Sequence, residues 1–277
     1  MSLTDIEFFK GFIDMCDKGF KLGWHERNGG NLSYRMTDED VKAAKDYFNT
    51  PSEWFEIGTT VKLLAGEFFC VTGSGKYFMN VKSNPFDSLG IIEIDENGEK
   101  YRIHAGFVNG GKPTSELPSH LMNHEVKKHL TEGKYRVIYH AHTTNIIALT
   151  FVLPLTDEVF TRELWEMATE CPVVFPDGVG VVEWMVPGGR DIAVATSKLM
   201  EKYDLAIWAH HGMFAAGPDF DTTFGLMHTA EKSAEILVKV LSMGMGKRQT
   251  ISPDNFRDLA ADFNVKLPEK FLYEKED

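Results

Sequence analysis

The stretch Arg136 to Asn145, R-V-I-Y-H-A-H-T-T-N, constrains this chain more than any other. Val137, Ile138 and Tyr139 are branched or aromatic and favour an extended strand. Successive strand side chains alternate faces, so His140 and His142 emerge on one side, roughly 6.5 Å apart along the backbone. Two imidazoles so placed can converge on one first-row metal ion. Alone the signal is weak, because a chain with ten histidines holds an H-x-H by chance about once in three. The neighbouring segments decide whether the pair is a ligand pair.

Those segments read as a mixture of helices and short strands. Phe9, Phe12, Ile13, Cys16 and Phe20 recur at helical spacing behind Thr4, giving an amphipathic first helix that ends at Gly23. Glu26 to Arg35 is a turn feeding a strand, and further strands are expected at 54–57, 61–72 and 89–95, with Glu96-Asn97-Gly98 turning into Tyr101 to His104. Thr114-Ser115-Glu116 opens a helix whose buried stripe is Leu117, Leu121, Met122, Val126 and Leu130. After the histidine strand come helices near 145–152 and 158–167, a strand C-P-V-V-F from Cys171, a helix over 191–203, and a strand from Leu205 to His211. Asp221 begins a long helix that stops at Gly244 and Gly246. With no repeat or linker, this predicts one α/β domain over 1–277. Its sheet is mixed or mostly antiparallel, and its charged tail from about 268 is mobile.

Composition narrows the function. A net charge of −12 lacks the basic face that nucleic acid or an anionic membrane requires, so any anionic ligand must be held by local donors. Three cysteines far apart, without C-x-x-C, indicate neither a disulfide framework nor a cysteine zinc site. The acidic start M-S-L-T-D-I-E-F-F-K lacks an export pattern, and no run of about 18 apolar residues occurs. The expectation is a cytoplasmic protein.

Candidate partners for His140 and His142 are Glu116, at a helix start, and either His210 or His211. Strand alternation sets His211 with Leu205, Ile207 and Ala209, and His210 with Ala206 and Trp208; both faces are apolar, so alternation alone does not choose. A second group is small and rich in backbone donors: Asn28-Gly29-Gly30-Asn31, Thr72-Gly73-Ser74-Gly75 and Thr114-Ser115. Glycine lets the main chain approach an anion while hydroxyls and helix amides donate to it. Gly75-Lys76 fits neither common nucleotide loop, which points to a small phosphorylated metabolite. Glu170 precedes an apolar run and reads first as a solvated helix terminus, and Cys171 as a packing residue.

Taken together, E-R-N-G-G-N-L-S from Glu26, V-T-G-S-G-K-Y-F from Val71, P-T-S-E-L-P-S-H from Pro113, H-A-H-T-T-N from His140, T-E-C-P-V-V-F-P-D-G-V-G from Thr169 and H-G-M-F from His211 resemble the zinc-dependent class II aldolases of sugar 1-phosphates. The T-E-C-P-V-V-F-P-D-G-V-G stretch is similar to the branch acting on L-rhamnulose 1-phosphate. The resemblance implies a three-layer α/β/α fold around a mostly antiparallel sheet, and a homotetramer with fourfold symmetry. It implies Zn2+ on Glu116, His140, His142 and His211, the last because the family ligand precedes glycine; His210 departs from the pattern. It further implies Glu116 as the proton-moving carboxylate and Glu170, supplied by a neighbouring subunit, for the second proton transfer. Asn28, Asn31, Ser74, Gly75 and Ser115 would hold the phosphate. Competing readings on the same site are fuculose-phosphate cleavage, a pentose-phosphate epimerase, an adducin-like scaffold, or Schiff-base chemistry at Lys76.

Overall fold

The computed structural model describes residues 2–274. Its strands are β1 Asn31–Arg35, β2 Phe55–Glu56, β3 Phe68–Thr72, β4 Leu89–Ile94, β5 Lys100–Gly106, β6 Val137–Ala141, β7 Gly180–Val182, β8 Leu205–Trp208 and β9 Gly212–Gly217. They form one sheet in the order β2-β5-β4-β3-β1-β6-β9-β8-β7. All neighbours run antiparallel except β7 and β8, which are parallel. The expected hairpin joins β4 to β5, with Gly98 at φ 72° in its turn.

The α-helices are α1 Glu7–Lys21, α2 Asp38–Ala44, α3 Phe78–Val81, α4 Pro85–Ser88, α5 Leu117–Leu130, α6 Thr144–Leu149, α7 Asp157–Trp165, α8 Cys171–Val174, α9 Arg190–Met200, α10 Phe220–Ser242 and α11 Pro253–Asp262. Strand alternation sends Leu32, Tyr34, Tyr139 and Ala141 to one face, where they join Phe9 and Phe12 of α1 and Met227, Ala230 and Leu237 of α10 in the larger core. Phe69 and Val71 meet Leu117 and Leu121 of α5 on the other face, and Ile138 and Phe214 meet Ile192 of α9. Helices on both faces of a mostly antiparallel sheet make the three-layer α/β/α arrangement expected from the sequence.

Several elements differ from expectation, each for a local reason. The run C-P-V-V-F is the short helix α8 rather than a strand, because Pro172 needs no amide partner in a first helical turn. The strand from Leu205 ends at Trp208, since His210 has φ 61°, and a further strand, β9, begins at Gly212. In α5, Leu130 is half exposed, while His120, Asn123, His124 and Lys127 are buried. The tail is docked as far as it is described. Phe271 is fully buried, and Arg162 Nη1 donates to the carbonyls of Phe271 and Tyr273 at 3.0 and 2.8 Å.

The unexpected strand supports the metal-binding candidates. Phe214 of β9 pairs with His140 in register, and its ring stacks on the imidazole with centroids 4.3 Å apart. Phe214→Ala is expected to cost about 3–5 kcal/mol, the usual range for emptying a buried aromatic site, measured by chemical denaturation of the metal-free protein.

Candidate metal centre

The centre forms at the end of β6. This strand lies between β1 and β9, and its register places His140 beside Asn31 on one side and Phe214 on the other. His140 Nδ1 donates to the Met213 carbonyl at 3.1 Å, leaving the Nε2 lone pair free to bind. One residue past the strand, the His142 amide donates to the Trp24 carbonyl at 3.0 Å, and His142 Nδ1 donates to Glu26 Oε1 at 2.6 Å. His211 arrives from the turn between β8 and β9, its Nε2 3.3 Å from His140 Nε2. Ligand atoms of these three histidines all lie within 4.8 Å of one another.

Burial, reinforced by His142 and His211, holds His140 well below the usual histidine range. Burial likewise lowers His211 to about 4. Neutral imidazoles are the form a metal binds, and nitrogen lone pairs meeting at one point, next to a carboxylate, are a donor set suited to zinc.

Glu116 borders this cluster as the N-cap of α5, with Oε2 3.7 Å from His140 Nε2. The carboxyl is buried, and burial raises its proton affinity against the opposing effects of Asn31 and His142. Asn31 Nδ2 donates to Glu116 Oε2 at 2.7 Å, while Asn31 Oδ1 accepts from His120. Asn31, expected among the phosphate donors, keeps a second Nδ2 hydrogen beyond the one given to Glu116.

The other small-residue segments meet around Thr72. Its hydroxyl accepts from the Leu32 amide at 3.1 Å, and its carbonyl accepts from the Thr114 amide at 2.9 Å. Gly73 bridges to Pro113, so Ser74, Gly75 and Ser115 come to the same rim, Ser74 half-buried and the other two exposed. Asn28 is exposed on the loop before β1. That loop is held by His25, whose Nδ1 donates to the Gly29 carbonyl at 3.0 Å and whose Nε2 accepts from the Tyr139 hydroxyl at 2.6 Å. Gly30, at φ 74°, could not carry a side chain, since a Cβ would lie 2.4 Å from His25 Nδ1.

Glu170 is not brought to the centre within one chain. It is the exposed N-cap of α8, which packs on the face of the sheet opposite to that of His140. Cys171 next to it is buried against Ser233, and burial pushes its thiol up to about 12, as befits a packing residue. His210 points away from the cluster, its Nδ1 3.1 Å from Thr150 Oγ1 and its ring against Phe151. Lys76 Nζ is paired with Asp87 Oδ1 at 2.8 Å. Sequence reasoning missed Glu26 and His25 as supports. Both adjoin the N-G-G-N turn, and only the tertiary contacts reveal their partners.

The buried histidines predict a specific acid sensitivity. Burial lowers His25 and His120 to about 3, and holds His124 well below its usual value of 6.5. Between those values and 6.5 the unfolded chain binds protons that the folded chain refuses, so the stability they contribute is complete above pH 6.5 and is lost as pH falls toward 3. Burial raises Glu116 and Glu231, which act in the opposite sense. The denaturant midpoint of the metal-free protein is expected to fall steadily below pH 6.5, and a midpoint that stays flat would contradict this account.

Comparison with known proteins agrees with this geometry. The family described as Class II Aldolase and Adducin N-terminal domain matches residues 10–238. A rhamnulose-1-phosphate aldolase of Mannheimia succiniciproducens is 55% identical over 258 residues, 93% of this chain and 94% of that protein. One from Escherichia coli O157:H7 is 48% identical over 264 residues, 95% and 96% of the two chains. The crystal structure of a sugar-phosphate aldolase from Thermotoga maritima superposes with a TM-score of 0.74 at 26% identity, covering 87% of this chain and 97% of the other. The chain belongs to the class II aldolase and adducin N-terminal domain family.

Proposed function

We propose that this protein is a zinc-dependent lyase that reversibly cleaves L-rhamnulose 1-phosphate to dihydroxyacetone phosphate and L-lactaldehyde, working as a fourfold-symmetric homotetramer in the cytoplasm. The observation that carries the reading is the convergence of three imidazoles beside one buried carboxyl, in a chain 55% identical to a rhamnulose-1-phosphate aldolase over 93% of its length. Among the described residues no helix is long and apolar enough to cross a membrane.

His140, His142, His211 and Glu116 would hold the ion. When bound, such an ion supplies Lewis acidity toward the ketone side of the substrate, where negative charge builds as the carbon–carbon bond breaks. The bond that breaks joins the carbon next to the ketone to the carbinol carbon beyond it. Glu116, kept in a low-dielectric setting that raises its proton affinity, delivers a proton to the carbon that retains the electron pair, and removes it in the reverse direction. The carbinol proton leaves to Glu170 of a neighbouring subunit, which fits its exposure on the single chain. Asn28, Asn31, Ser74, Gly75 and Ser115 hold the phosphate from the rim around Thr72, Asn31 through the second hydrogen of the amide nitrogen that also donates to Glu116.

The test is release of triose phosphate from L-rhamnulose 1-phosphate and from L-fuculose 1-phosphate, before and after chelation. The expected result is preference for the rhamnulose ester, loss of activity with chelator, and recovery with Zn2+. Equal or better cleavage of the fuculose ester would overturn the substrate, and activity indifferent to chelation would overturn the metal.

A further inference from the structure

A line of buried polar groups runs away from Glu116 beneath α5, and nothing in the mechanism above uses it. Asn31 Nδ2 donates to Glu116, and Asn31 Oδ1 meets His120 Nε2. His120 Nδ1 lies 2.6 Å from Ser33 Oγ, which in turn lies 2.8 Å from His124 Nε2. Ser33 and His120 are fully buried and His124 is 1% exposed.

Chemistry fixes the direction of every bond in this line. The Asn31 amide turns its NH2 to Glu116, and its carbonyl, which can only accept, faces His120. His120 must then carry its proton on Nε2, which makes Nδ1 an acceptor for the Ser33 hydroxyl. The Ser33 oxygen is left to accept from His124 Nε2–H. The low proton affinity of both buried rings is consistent with one proton on each. An amide does not pass protons along readily, so the line orients groups rather than conducting protons.

Such a core is costly, because apolar residues could fill the same space without desolvating two imidazoles, an amide and a hydroxyl. We infer that His124, Ser33 and His120 form a one-way hydrogen-bond relay that locks the Asn31 amide toward Glu116, making His120 a positioning residue for the carboxylate that moves the proton. The inference rests on the proposed role of Glu116.

Two measurements test it. Neutron diffraction from crystals of the zinc-loaded, full-length protein should find the ring proton of His120, and that of His124, on Nε2; a His120 proton on Nδ1 alone would overturn the relay. In the second, His120→Leu is compared with His120→Gln, whose amide can still donate to Asn31. His120→Leu should bind a full complement of zinc yet lose about 10–100-fold in kcat, the usual effect of losing such a supporting bond, with KM little changed. His120→Gln should recover most of that loss. Wild-type kcat in His120→Leu, or equal losses in both variants that track only their folded fraction, would overturn the proposal. Should His120→Leu not fold, Ser33→Ala carries the same expectation at smaller size, and an unchanged kcat there would likewise overturn it. A wild-type enzyme inert toward L-rhamnulose 1-phosphate would defeat the functional reading while the neutron result stood. The wrong tautomer in an active enzyme would defeat the relay alone.

Discussion

His211→Ala is expected to yield a folded protein that no longer retains stoichiometric metal and turns over at least about a thousand-fold more slowly. Charge stabilisation of several kcal/mol goes with the ion, and each 1.36 kcal/mol is roughly tenfold in rate. His211 is the informative ligand to remove because it sits half-buried in the turn between β8 and β9, whereas His140 is fully buried and stacked on Phe214. Metal analysis of the purified variant, its circular dichroism spectrum and the cleavage assay check the prediction together. Near-normal turnover with a native spectrum would remove His211 from the centre.

Glu116→Gln is expected to separate stability from catalysis. Glutamine keeps the shape and still accepts from Asn31 Nδ2, so the fold and the α5 N-terminus should survive. Turnover should fall at least about 100-fold, the lower range for a positioned acid–base group. The metal-free variant should unfold at the same temperature as the wild type or a higher one, because burial of the carboxyl disfavours its charged form and the amide escapes that cost. A variant both active and less stable would argue that Glu116 is a structural anion rather than the proton-moving group.

Much of the architecture was legible because the signals are local. The H-x-H alternation in β6, the Asn-Gly turn between β4 and β5, and the helical spacing of Phe9, Phe12, Ile13 and Cys16 each lie within a dozen residues and need no partner to be read. The family-specific stretches around Glu116, His140 and His211 carried the ligand set further than periodicity could. Two apolar runs, one misread as a strand and one given no assignment, share a common reason. In Cys171 to Phe175 and Gly212 to Gly217 all or most side chains are apolar, so no alternation distinguishes a strand from a turn of helix. Their opposite outcomes depend on Pro172 in one and on pairing with β6 in the other.

The inner face of α5 was misread because its apolar stripe and its buried face do not coincide. His120, His124 and Lys127 lie outside the expected apolar stripe, yet they pack inward with partners on distant elements, Ser33 for the histidines and Asp204 for the lysine. Likewise Phe271 is one apolar residue in a charged tail, and it is buried because Arg162, more than a hundred residues earlier, accommodates the backbone around it.

By itself, then, the sequence determined which side chains could bind a metal and the strand and helix start that carry them, since residue type, alternation and capping are properties of neighbouring residues. Strand alternation left the His210–His211 pair open and the family resemblance pointed to His211; the tertiary structure shows how His211 reaches His140, through a left-handed turn at His210. It alone showed how the Asn31 amide is oriented, because an amide has no fixed direction until a carboxylate on one side and an imidazole on the other set it.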